Sequence, residues 1–165
     1  MKTVLEIFED VEKIIAQHHL TITAKDMERP WGGFFVINEN EAAAFAKIFF
    51  PEEDFEALKL SAKLSPKILL VAPHKKLSWQ YHHRRAEIWC CIKGPVAVAT
   101  SFTNVEVAPQ ILKPTHKIKL QQGQRHRLIG LNNWGIVAEI WQHTHANNPS
   151  NEDDIVRLQD DFGRQ

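Results

Sequence analysis

The chain has 165 residues, 44% hydrophobic and 24% charged, the size of one domain by the prior of roughly 100–200 residues each and too apolar for a disordered chain. Twenty Lys and Arg balance twenty Asp and Glu, so net charge is zero with His neutral. That balance gives no electrostatic reason for a nucleic-acid or membrane-surface partner, and neither is expected.

Val4, Ile7, Phe8, Val11, Ile14, Ile15 and His18 recur at three- and four-residue steps and predict an amphipathic helix over about residues 3–18. Glu6, Glu9, Asp10 and Glu12 interrupt its apolar residues, unlike a signal peptide or a spanning helix, so a cytoplasmic location is expected. Arg29-Pro30-Trp31-Gly32-Gly33 breaks the pattern, and Phe34–Ile37 reads as a strand. Glu41–Phe50 is Ala-rich and reads as a helix. Pro51, followed by Glu52, Glu53 and Asp54, suits the first turn of another short one.

From about Lys67 the chain turns to short β-type runs near Ile68–Val71, Leu77–His83, Glu87–Ile92, Val96–Ser101, Ile111–Leu120, His126–Leu131 and Ile136–Gln142. Turn residues separate them: Pro73-His74, Lys93-Gly94-Pro95, Gln122-Gly123 and Asn132–Gly135. Strands at this spacing predict a β-sandwich or small barrel. Cys90 and Cys91, the only cysteines, are adjacent in a strand and point to opposite faces, which excludes a disulfide scaffold. Ser150–Asp153 reads as a cap for a closing helix carrying Ile155, Val156 and Leu158. Residues 1–165 are thus read as one domain, with a helical extension over 1–28 and the barrel with its helical tail over 29–165.

Polar chemistry concentrates in Leu77–Glu87. In a strand Ser78, Gln80 and His82 share one face, and Leu77, Trp79, Tyr81 and His83 the other. If the Leu/Trp/Tyr face is core, Gln80 and His82 are solvent-exposed; in a barrel with a lined cavity they point inward. The joint spacing carries more than any one residue: Gln80-x-His82, four residues, Glu87, six residues, Gly94, and later Gly123-x-x-His126.

This spacing resembles the two motifs of the cupin superfamily, with Gln80 where the first His usually lies. Leu77-Ser78-x-Gln80-x-His82-His83-x-Arg85-Ala86-Glu87-x-Trp89 is similar to the signature of type II phosphomannose isomerases, including the C-terminal domains of bifunctional phosphomannose isomerase/GDP-mannose pyrophosphorylases. Arg29–Gly32, His126–Leu128, Glu152–Arg157 and Asp160–Arg164 resemble further stretches of that family in the same order, so the likeness covers residues 29–33 and 66–164. Three positions depart from it: Pro73-His74 for a Pro-Gly turn, Gln121 for a Pro, and Gly130 for an Asn.

The resemblance implies a mainly β, single cupin (double-stranded β-helix, jelly-roll) barrel with an N-terminal helix. It implies a divalent metal held by Gln80, His82, Glu87 and His126, zinc first, with Mn, Fe, Co or Ni as alternatives. A site with Glu87 as its one anion keeps a residual charge of about +1 and favours an anionic oxygen such as that of an enediolate. The activity implied is aldose–ketose isomerisation of a sugar phosphate of the mannose 6-phosphate type, with a homodimer as a family-level expectation. Arg157, then Arg85, are the candidates to grip the phosphate, each with a salt bridge as the structural alternative. Ser78 is a substrate contact or a donor supporting a ligand. His83 and Arg157 are the candidate catalytic groups, although strand parity puts His83 opposite His82. The alternatives are a non-catalytic sugar-phosphate binding module with a structural metal, and a metal-dependent oxygenase.

Overall fold

The computed structural model describes residues 1–165. Helix α1 (Val4–Gln17) begins at a capping box: Thr3 Oγ1 accepts the Glu6 N–H, and the Glu6 carboxylate accepts the Thr3 N–H. Its apolar stripe Ile7, Phe8, Val11 and Ile15 is buried. Strands β1 (Ile22–Arg29) and β2 (Gly32–Ile37) form a hairpin, followed by α2 (Ala42–Phe49) and the one-turn α3 (Phe55–Leu58), which Asp54 caps. The remaining strands are β3 (Lys67–Val71), β4 (Trp79–Tyr81), β5 (Arg85–Lys93), β6 (Val96–Ser101), β7 (Gln110–Leu112), β8 (Lys117–Leu120), β9 (Arg125–Ile129), β10 (Gly135–His143) and β11 (Val156–Gln159).

They build two antiparallel sheets, ordered β1-β2-β3-β10-β5-β8 and β11-β4-β9-β6-β7. Alternation within the first sheet decides what each face meets. Ile68 and Leu70, Ile88 and Cys90, and Ile136, Ala138 and Ile140 point outward and pack with α1 and α2 into one apolar cluster. Leu69 and Val71, Trp89 and Cys91, and Val137 point inward and meet Val96, Val98 and Leu128 of the second sheet. The inward positions next along β3, β5 and β10 are Lys67, Glu87 and Glu139, all buried. The space between the sheets is therefore apolar at one end and polar at the other, as a jelly-roll barrel with a lined cavity requires.

Three expectations change. The closing helix is instead a turn and the edge strand β11: Asn151 Oδ1 accepts the Asp153 and Asp154 N–H groups, and the chain then pairs with β4 through Val156–Tyr81 and Arg157–Gln80. Ile111–Leu120 is two strands in different sheets, β7 on β6 and β8 on β5, with Thr115 at positive φ between them. The sheet also starts at Ile22, inside the stretch read as a helical extension. No helix is long and apolar enough to cross a membrane.

Candidate metal centre and its cavity

Strand pairing brings the separated motif residues into rows. Arg157 pairs with Gln80 and Gln80 with His126 across β11, β4 and β9. On the facing sheet Trp141 pairs with Glu87, and Glu139 with Trp89 and Lys67. Gln80, His82, Glu87 and His126 are all buried. His82, Glu87 and His126 offer ligand atoms that lie within 4.8 Å of one another. Glu87 Oε1 is 3.4 Å from His82 Nε2, and Glu87 Oε2 is 3.4 Å from His126 Nε2.

Hydrogen bonds on the far side of each ring fix which nitrogen faces the centre. His82 Nδ1 lies 2.7 Å from the Asp154 carbonyl oxygen, and His126 Nδ1 lies 2.9 Å from that of Gln124. Each ring donates there, leaving the Nε2 lone pair inward. Glu87 Oε2 and His126 Nε2 are both buried without a hydrogen-bond partner. Two buried acceptors facing each other cannot satisfy one another, and a divalent ion would partner both. The Gln80 amide is held by Ser78 Oγ at 2.5 Å on Oε1, with Nε2 3.4 Å from His82 Nε2. Turning the amide over keeps the Ser78 contact, because a hydroxyl both donates and accepts, and presents Oε1 to the site. The donor set therefore fits a borderline divalent ion.

Burial holds the His82 imidazole neutral, its pKa down at about 3. Burial opposes the charge on Glu87, but Arg85, His82 and His126 together outweigh it and keep this carboxyl well below the usual carboxylate range. Arg85 is stacked 3.6 Å over Trp141, and each of its guanidinium nitrogens has a partner. Nε donates to Glu87 Oε1 at 2.8 Å, Nη1 to Ser150 and the Asn151 carbonyl, and Nη2 lies 3.2 Å from His82 Nε2.

Beside this centre runs a cavity walled by Gln80, Glu87, Arg85, Trp89, Glu139 and Trp141, with Arg29, Trp31, Arg157 and Arg164 among its other lining residues. Arg157 Nε is buried without a partner, while Nη1 donates to the Gln165 carbonyl. Burial, Arg164 and Arg29 all push its pKa down, as three guanidinium groups gathered in one place must.

The predicted residues divide accordingly. Gln80, Arg85, Glu87 and Arg157 line the cavity. Ser78 is buried and spends its hydroxyl on Gln80. The structure places His83 outside: its ring is exposed and packs edge-on against Tyr81 at 5.3 Å, because the parity that turns His82 inward turns His83 outward. Arg127, by contrast, is wholly buried and structural, bridging Leu77, Glu106 and Gln159. Sequence reasoning missed Glu139, Lys67, Arg29 and Arg164 in the cavity wall. A charged residue within the apolar run Ile136–Trp141 was the available signal for Glu139.

A family model described as "Mannose-6-phosphate isomerase C-terminal" matches residues 37–160, including the stretch 38–65 that the motifs do not reach. The mannose-1-phosphate guanylyltransferase of Salmonella montevideo is 25% identical over 94% of this chain and 28% of its own length. The xanthan biosynthesis protein XanB of Xanthomonas campestris pv. campestris is 29% identical over 76% of this chain and 25% of its own. The chain thus spans about a quarter of the length of these curated relatives. Among solved structures, the capsular polysaccharide assembling protein CapF of Staphylococcus aureus superposes with TM-score 0.55 at 13% identity, covering 85% of this chain and 34% of that one. KdgF from Halomonas sp. gives 0.52 at 11%, covering 79% and 91%. These two likenesses concern the fold alone, a cupin barrel. The family model covers most of the chain, and the protein belongs to the mannose-6-phosphate isomerase C-terminal family.

Proposed function

We propose that this domain interconverts a phosphorylated aldose and ketose, with mannose 6-phosphate as the first substrate to consider, using a divalent ion held by His82, Glu87, His126 and the turned amide of Gln80. The observation that carries the reading is the pairing of two buried, unpartnered acceptors, Glu87 Oε2 and His126 Nε2, with a cavity that also gathers Arg29, Arg157 and Arg164. A bound ion would polarise the sugar carbonyl. Arg157, with an unspent Nε, is the first choice to bind the phosphate, and Arg29 and Arg164 add positive charge beside it. Trp89, Trp141 and Trp31 form apolar wall against which water is excluded from the reacting carbons. The longer relatives are named for mannose 1-phosphate guanylyl transfer and for xanthan biosynthesis; the first of them shares mannose phosphate chemistry with this reading. Zinc is the first metal to load, given two imidazoles and a carboxylate.

The free volume of the cavity is about 70 Å³, room for a few waters. A hexose phosphate is larger than this enclosed space and would extend from it into the open mouth. This favours keeping a second reading, a non-catalytic sugar-phosphate binder whose metal is structural. Proton NMR of mannose 6-phosphate with zinc-loaded protein, against a chelated control, separates the two. Metal-dependent formation of fructose 6-phosphate is expected. Substrate-induced stabilisation with no conversion of any sugar phosphate would leave the binding module.

A further inference from the structure

We propose that Glu139 is the proton carrier of the isomerisation, taking the hydrogen from C2 of the aldose and returning it to C1. The assignment rests on the isomerase reading above. Glu139 sits on the inward face of β10, 5% exposed, in the wall of the same cavity as Glu87. Register sets it beside Trp89, two residues along β5 from Glu87. Its Oε2 accepts the indole N–H of Trp89 at 2.8 Å and its Oε1 that of Trp141 at 2.9 Å. Neutral donors hold the carboxyl in place in either protonation state, and each oxygen keeps a second lone pair. The other carboxyls of the wall are committed: Glu87 to the metal centre and Arg85, Glu152 to Lys67.

Burial first, and then the charge of Glu87, raise the Glu139 pKa above the usual carboxylate range, toward that in which a carboxyl both takes and gives a proton near neutrality. The step balances without a co-reactant. The Glu139 carboxylate removes the C2 proton, the C–H electrons form the C1=C2 bond, and the carbonyl electrons move onto O1. The hydroxyl proton on O2 passes to O1, C2=O2 forms, and the Glu139 carboxyl returns its proton to C1. A structural alternative exists, in which Glu139 only bridges the two indoles.

The test uses the full zinc-loaded chain and mannose 6-phosphate carrying deuterium at C2. In the wild type, part of the label is expected at C1 of fructose 6-phosphate, since a sealed monoprotic carboxyl exchanges slowly with water. Glu139→Gln, nearly isosteric, is expected to keep its zinc and bind mannose 6-phosphate within about threefold by calorimetry while kcat falls more than about 100-fold. A smaller loss of kcat in the zinc-replete variant overturns the assignment and leaves the isomerase reading standing. Complete loss of label to water in the wild type does the same, and decides the matter should the variant fail to fold. A wild type that converts no sugar phosphate overturns the isomerase reading and Glu139 with it.

Discussion

The His82 ring and the Asp154 backbone are joined by a 2.7 Å contact from Nδ1 to the carbonyl oxygen, so the C-terminal turn orients a candidate metal ligand 72 residues away. The Asp154 side chain makes this turn rigid. Its carboxylate accepts the N–H groups of His83 and Arg84, both at 3.0 Å, and the Ser150 hydroxyl at 2.6 Å. Burial opposes its charge, yet these donors bring its pKa down to about 2. Asp154→Ala leaves the carbonyl but frees the turn that aims it. The expected result is about 2–3 kcal/mol less stability in urea and about 10–100-fold weaker zinc binding against a competing chelator. Unchanged zinc affinity would show that His82 holds its orientation without the turn.

Removing the ligands tests the centre itself. His82→Ala and His126→Ala are each expected to carry less than about a tenth of an equivalent of zinc after dialysis, since one imidazole, one carboxylate and a neutral amide hold it far more weakly than the full set. Gln80→Ala, losing a neutral oxygen donor, is expected to hold zinc more weakly but near stoichiometrically when zinc is in excess. Full metal content in both His variants would place the ion elsewhere.

The arginines differ in what they have left to give. Arg164 is paired with Asp160 through two 2.8 Å contacts, while Arg157 Nε has no partner. Arg157→Gln is therefore expected to raise KM for a sugar phosphate by about 10–100-fold, the worth of one or two charged hydrogen bonds, and Arg164→Gln by less. Neither should alter the weak turnover of the unphosphorylated sugar. Equal effects on both sugars would move Arg157 from phosphate recognition to holding β11 in place.

The centre was legible because its signals are local: two-residue parity places Gln80 and His82 together, and Gly123 at positive φ returns the chain so that His126 meets Gln80. The α1 and α2 helices were legible for the same reason, their period lying within one segment. What failed depends on partners distant in the chain. Ile155, Val156 and Leu158 suit a helix or a strand equally, and the open edge of β4 decides for β11. Strand β1 is mostly polar and flanks the sheet, so its alternation carries little. Glu139 and Arg164 become cavity residues only when β10 and the C-terminal tail are laid against β5 and β4.

Two departures from the family pattern turn out to be one feature. His74, in place of a glycine, has φ +60°, and Gly130, in place of an asparagine, packs against the same turn. The Gly130 N–H donates to the Lys75 carbonyl at 2.7 Å, and a Cβ at this position would lie 2.1 Å from the Ala72 carbonyl oxygen. Gly130→Ala is expected to cost about 2–3 kcal/mol. His74→Gly should relieve about 1–2 kcal/mol of left-handed strain against about 0.5–1 kcal/mol of added chain entropy, a net gain of up to about 1.5 kcal/mol. Urea midpoints at constant m would register both signs.

Acid sensitivity can be traced to one histidine outside the metal centre. His143 is fully buried; its Nδ1 accepts the Ser150 N–H at 3.0 Å and its Nε2 lies 2.9 Å from Ser65 Oγ. Burial first, then the charges of Lys63, Arg85 and Lys67, lower its pKa to about 4. An unfolded histidine titrates near ~6.5, so between these values the unfolded chain binds one more proton than the folded one. The contribution is whole above the unfolded value and falls as pH drops through this window, by about 1.4 kcal/mol per pH unit at most, or about 2 kcal/mol at pH ~5. His82 adds a second proton of the same sign in chelator-treated protein. His143→Gln can accept from Ser150 and donate to Ser65 without titrating. Its stability, followed in urea from neutral pH downward, is expected to fall with the slope of one proton fewer than the wild type. Parallel curves would mean that the fold opens around His143 before the imidazole takes its proton.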